Sequence, residues 1–151
     1  MNHLSFTLQQ RPRSAMPIVD GEPFLRLAAD YETEHGFDCA GAYGALDLRM
    51  WTHKLDVHFG VRTTRERVAL LDCDCGGSGC WPLEATIRRK RDSVIWEAFE
   101  NPFRPERDYS KFGPFVFDPA QYADAVTWLR SAFAWHDALP VDARALSAAV
   151  H

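Results

Sequence analysis

Three thiols fall within one eight-residue run, Cys73-Asp74-Cys75-Gly76-Gly77-Ser78-Gly79-Cys80. Closely spaced thiolates are ligands for Zn²⁺, which takes four donors in a tetrahedron in structural sites. The glycines let the chain fold back so that Cys80 can face Cys75, which makes Cys73, Cys75 and Cys80 candidate metal ligands. Cys39, His53, His58 or Asp74 would supply the fourth position, and zinc is the cofactor this set suggests. The spacing C-x-C-x₄-C nevertheless differs from the usual two C-x₂₋₄-C pairs. In an extended strand Cys73 and Cys75 would project to one side about 6.6 Å apart, two rises of roughly 3.3 Å, a parallel arrangement that disfavours a disulfide. A Cys75–Cys80 disulfide and a buried, reduced Cys73 that fills core volume are the competing readings. A nucleophilic cysteine would need a base within reach and a lowered thiol pKa. His53, His58 and His136 are the candidate bases, and no spacing brings any of them to the cluster.

Other constellations have plainer explanations. Asp72-Cys73-Asp74 has the D-x-D form that can hold a divalent ion on a diphosphate. With no glycine-marked nucleotide unit upstream, two aspartates on the solvent face of a strand explain it better. Arg88-Arg89-Lys90-Arg91 can hold an acidic group, yet it also suits a solubilising hairpin tip that guards an edge. His53 and His58 would lie roughly 140° apart on a helix and so share no ligand face. Trp128 and Trp135 share a helical face beside an apolar stripe, where packing is the first explanation. The sequence carries no P-loop, no dinucleotide fingerprint and no nucleophile elbow.

The elements that must position these residues are readable from periodicity. Leu4, Phe6 and Leu8 alternate with polar residues as in a half-buried strand, after which Pro12 and Pro17 predict a turn or edge piece. An N-terminal helix is predicted over about 23–32, with Phe24, Leu27, Ala28 and Tyr31 on one face. Residues 37–46 read as an ordered loop, and Leu48, Trp51, Leu55 and Phe59 have helical spacing. Central strands are predicted at about 68–75, 83–90 and 93–100, the last two forming a hairpin that turns at Arg91-Asp92. Leu83, Ala85 and Ile87 would share one face of that hairpin, and Val94, Trp96 and Ala98 the other strand's inner face. Gly113-Pro114 marks a turn before a short edge strand.

A C-terminal helix is predicted over about 119–135. Asp118 would cap it with Gln121 as the reciprocal partner, and Phe117 and Tyr122 would form a hydrophobic staple. Its stripe is Tyr122, Ala125, Val126, Leu129, Ala132 and Phe133, expected to lie across the preceding three strands. Strands followed by a helix favour an α+β fold with a mostly antiparallel sheet. One domain is expected over 1–140, with a tail at 141–151.

The central block resembles a family of small bacterial proteins of uncharacterised function. The matching pieces are Leu70-Leu71-Asp72-Cys73-Asp74-Cys75-Gly76, Gly79-Cys80-Trp81-Pro82-Leu83 and Val94-Ile95-Trp96. Phe103-Arg104 and Phe112-Gly113-Pro114-Phe115-Val116-Phe117-Asp118, leading to Gln121-Tyr122, continue the likeness, which covers about Ala40 to Leu129. The resemblance implies no activity.

Composition narrows the function classes. The chain has 151 residues, 46% apolar and 25% charged, with a net charge of −4. That is one packed domain without a basic field for nucleic acid. The longest stretch free of formal charge, Met1 to Gln10, is half a membrane span, and no secretory signal is visible. Together these predict a soluble cytoplasmic protein with reduced thiols, most simply a non-catalytic binding or interaction protein of an immunity-like or regulatory kind, with a protein as its partner. The alternative is a thiol- or metal-dependent enzyme or redox protein that uses Cys73, Cys75 and Cys80.

Overall fold

The computed structural model describes residues 1–10, 13–47, 54–74 and 81–138. It is an α+β fold of two antiparallel sheets, one curled into a half-barrel, with a helix from each end of the chain. The first sheet contains β1 (Leu4–Gln10), β2 (Arg13–Val19) and β3 (Glu22–Pro23), and β2 also pairs with β5 (Leu46–Asp47). The second runs in the order β4 (Tyr43–Gly44), β6 (Arg65–Cys73), β7 (Leu83–Arg89), β8 (Val94–Glu100), β9 (Phe115–Phe117). The helices are α1 (Phe24–Glu34), the single turn α2 (Leu55–His58) and α3 (Pro119–Ala138). Among the described residues no helix is long and apolar enough to cross a membrane. The tail at 141–151 lies outside the described residues.

Asn2 ties the two sheets together. Its N–H donates to the Val116 carbonyl at 2.7 Å, and its Oδ1 accepts from the Val116 N–H at 2.8 Å. Asp20 and Gly21, both at positive φ, join β2 to β3 in the two-residue turn that matches strand twist. The Asp20 carboxylate then accepts from the Asn2 amide at 2.6 Å and from the His3 N–H at 2.7 Å. These bonds hold its pKa below the usual carboxylate range.

Pro17 corrects the expectation of a turn or edge piece, because β2 is the inner strand of its sheet. Pro17 faces Phe6 on one side and falls in the gap between the β3 and β5 pairings on the other. A residue without an N–H is tolerated where the ladder asks for no donor.

The core forms around Phe24, the first residue of α1, whose ring meets Trp96, Phe99, Phe112 and Phe115 at centroid distances of 5.3–5.8 Å. On β7, Leu83, Ala85 and Ile87 all face inward as the alternation predicts. On β8 the alternation fails after Trp96. A bulge with Ala98 at φ 54° inserts one residue opposite β7, so Ala98 is exposed and Phe99 is buried.

Asp118 caps α3 as predicted, accepting from the Gln121 N–H at 3.0 Å, and the staple rings of Phe117 and Tyr122 are 5.3 Å apart. The Gln121 side chain does something different from the reciprocal cap. It accepts from the Leu4 N–H at 2.9 Å and donates to the Leu4 carbonyl at 2.6 Å, clasping the start of β1. Accordingly, the main partners of α3 are β1 and α2 rather than the three central strands. It meets β8 through Tyr122, which accepts from Trp96 Nε1 at 3.0 Å and donates to the Phe59 carbonyl at 2.6 Å.

Candidate functional site

The end of β6, where the cysteine run begins, leads to a buried polar cluster. Residues 75–80, and with them Cys75 and Cys80, lie outside the described residues, as does His53. On the near side Cys73 is buried at the end of β6, paired across the sheet with Tyr43 of β4, and its thiol donates to Asp74 Oδ1 at 3.6 Å. Cys39 is exposed in the loop after α1. His58 donates from Nε2 to the Ala69 carbonyl at 2.9 Å, and burial, above all, keeps its pKa below the usual value. Among the described residues, no three His, Cys, Asp or Glu side chains are grouped to hold a metal ion. Asp72 is not on a solvent face, as the D-x-D alternation suggested. It is buried and accepts from the Asp47 N–H at 2.7 Å, joining β6 to β5.

The cluster beside Tyr43 is built on Glu32. Phe24, Ala28 and Glu32 follow one another at i, i+4, i+8, so helical geometry places the carboxylate on the buried face of α1. Its Oε2 accepts from Tyr43 at 2.7 Å, from Tyr109 at 2.5 Å and from Arg107 Nη1 at 3.2 Å. Its Oε1 accepts from the Gly41 N–H at 2.8 Å. Gly41 has φ 73°, and a Cβ there would lie 2.7 Å from the Ala29 methyl, so glycine alone lets the loop come this close. Arg107 also donates to the Asp38 carbonyl, and Asn101 donates to the Tyr43 hydroxyl at 3.3 Å.

Both phenols of the cluster are held in their protonated form. Burial, then the hydrogen bonds and charge around Glu32, drive the Tyr43 pKa far above its ordinary value. Burial first, and then the Glu32 hydrogen bond, push Tyr109 up to about 12. Both phenols therefore remain donors at neutral pH. Burial opposes the charge on Arg107, and the Tyr109 bond together with the charge of Glu32 outweighs it. The cluster pins the loop at 38–42, Tyr43 of β4 and the irregular segment 101–109 onto the end of α1.

Trp81, the first described residue after the cysteine run, carries two guanidinium groups. Arg104 stands 4.5 Å from its ring centroid and Arg107 5.4 Å. Arg107 is spent internally. Arg104 is not: its side chain is 40% exposed, and among the described residues its buried Nε has no acceptor and its carboxylate neighbour is Glu106 at 4.0 Å. Beside it opens a cleft of about 600 Å³, lined by Asn101, Arg104, Arg107, Tyr109, Phe112 and Pro114 among others.

Two residues of the basic run are engaged within the fold, while Lys90 and Arg91 are exposed at the hairpin turn. Arg88 pairs with Glu97, and Arg89 donates from Nε to the Val61 carbonyl at 2.9 Å. Trp128 is half-exposed on α3, which excludes core packing and leaves packing against a partner as the expectation for it, and the Trp135 side chain lies outside the described residues. Sequence reasoning missed Glu32, Tyr43, Trp81, Arg104, Arg107 and Tyr109. Glu32 carries a readable signal, an acid in step with an apolar stripe, and Trp81 and Arg104 stand in the segments of the family resemblance without a role attached.

The fold and this cluster define an α+β domain with a preorganised, loop-framed cleft. No protein-family model matches the chain, and no curated protein or solved structure is significantly similar to it.

Proposed function

We propose that this chain is a small soluble, intracellular, non-catalytic binding protein, immunity-like or regulatory in kind, whose partner is another protein. The observation that carries the reading is the contrast between Arg107 and Arg104. One guanidinium is consumed in holding the 101–109 segment in place, and the other, three residues earlier, is presented beside a cleft. Arg, Trp and Tyr are the residue types that dominate binding energy at protein interfaces. A segment pinned by a buried ion pair loses little conformational entropy when a partner docks. Phe103, 56% exposed and adjacent to Arg104, adds an apolar contact of the same kind.

Turnover assays over hydrolase and transferase substrates test the distinction from an enzyme. The proposal expects no activity that depends on Cys73, Cys75 or Cys80. Turnover that disappears when these cysteines are changed to serine would replace it with the thiol- or metal-dependent reading.

A further inference from the structure

We infer that the cleft beside Arg104 recognises a carboxylate side chain, Asp or Glu, flanked by apolar residues on a segment of the partner protein. The inference rests on the binding reading above and names its chemistry.

The charges around the cleft leave one group to explain. Of the lining carboxylates, Glu97 pairs with Arg88, Glu100 pairs with Arg67, and Asp108 accepts from the Ser110 N–H at 2.8 Å. Arg107 is committed to Glu32 and Asp38. Among the described residues Arg104 keeps only the 4.0 Å approach of Glu106, whose side chain is 65% exposed. Its guanidinium rests on Trp81, so the planar fork is oriented without being spent. A rigid, partly desolvated fork is matched by a carboxylate, which can accept two parallel N–H bonds.

The surroundings choose the source of that carboxylate. Three acidic side chains line the cleft and the chain carries a net charge of −4, which opposes a polyanion such as nucleic acid. Phe103 extends the surface outside the cleft, and Phe99, Phe112 and Pro114 supply apolar walls within it. A free dicarboxylate would leave these contacts unused, whereas an acidic residue between apolar neighbours would engage both.

Selection of peptides from a random heptamer display library tests this on the intact chain, in parallel with Arg104→Gln and Arg104→Lys variants of unchanged melting temperature. The wild-type protein should enrich peptides with Asp or Glu between apolar residues. A selected peptide should move the Trp81 indole N–H resonance, and changing its acid to the amide should weaken binding about 10- to 100-fold. Arg104→Gln should lose the acidic preference, and Arg104→Lys should lose most of the affinity while keeping some of the preference. Enrichment of peptides that bind the cleft without an acid, or an acidic preference that survives in Arg104→Gln, would overturn the carboxylate and leave the binding reading standing. Selected peptides that never shift Trp81 would remove the cleft from both.

Discussion

Arg107 and Glu32, 75 residues apart in the chain, meet as a buried ion pair with Nη1 3.2 Å from Oε2 and side chains 4% and 0% exposed. Two phenols and a backbone amide complete the acceptor positions of the carboxylate, so the desolvation of the pair is offset by directed bonds. Removing one partner strands the other. Glu32→Gln should destabilise the protein by about 3–5 kcal/mol in urea unfolding, and adding Arg107→Met should restore a large part of that loss. If the two substitutions cost independent, additive amounts, the pair is not what holds the 101–109 segment.

His58 gives a pH dependence of defined sign. Burial lowers its pKa from 6.5 in the folded chain, with the Ala69 carbonyl acting in the opposite direction. Below about 6.5 the unfolded chain takes up a proton that the folded chain resists. Stability contributed by the neutral ring is therefore fully present above that value and falls as pH drops toward the folded pKa. Melting temperatures at pH 7.5 and 5.5 should diverge more for the wild type than for His58→Leu. Equal differences would mean that the ring titrates as freely in the folded state as in the unfolded one.

At Ala98 the usual glycine penalty should reverse. This residue is exposed, buries no methyl group in the core and holds φ at 54° in the β8 bulge. Ala98→Gly relieves the left-handed strain and should stabilise the protein by about 1 kcal/mol. A lower midpoint in denaturant would show that the bulge is not strained.

Much of this fold was legible, and the failures have physical causes. Phe117, Asp118 and Tyr122 announced the start of α3 because capping is local chemistry that tertiary context seldom overrides. The alternation on β8 failed at Ala98 because a bulge is set by pairing with β7, which one strand's pattern does not reveal. Asp20-Gly21 is a strong hairpin signal, but β3 is only two residues long and ends at Pro23, where the helix signal already begins. The cluster around Glu32 gathers residues from α1, the following loop, β4 and the 101–109 segment. No local spacing encodes such a meeting. The cysteine run stands out by the spacing of one residue type, whereas the side chains that frame the cleft are scattered in sequence and converge only in the fold.

The two described cysteines should differ sharply in reactivity. Cys39 is exposed, whereas Cys73 is buried at the end of β6. In a Cys75→Ser, Cys80→Ser background, a neutral alkylating reagent should modify Cys39 rapidly. Cys73 should react only as fast as the end of β6 opens. Mass spectrometry of tryptic peptides over time distinguishes them, and equal rates would contradict the buried position.

The most direct measurement is quantitative affinity capture from the cells that make this protein, comparing the wild type with a folded Phe103→Ala, Arg104→Gln variant. The account predicts one partner protein recovered near stoichiometry with the wild type and largely lost with the variant, then reproduced with purified components. Equal recovery by both would contradict the claim that the Arg104 cleft is the binding surface.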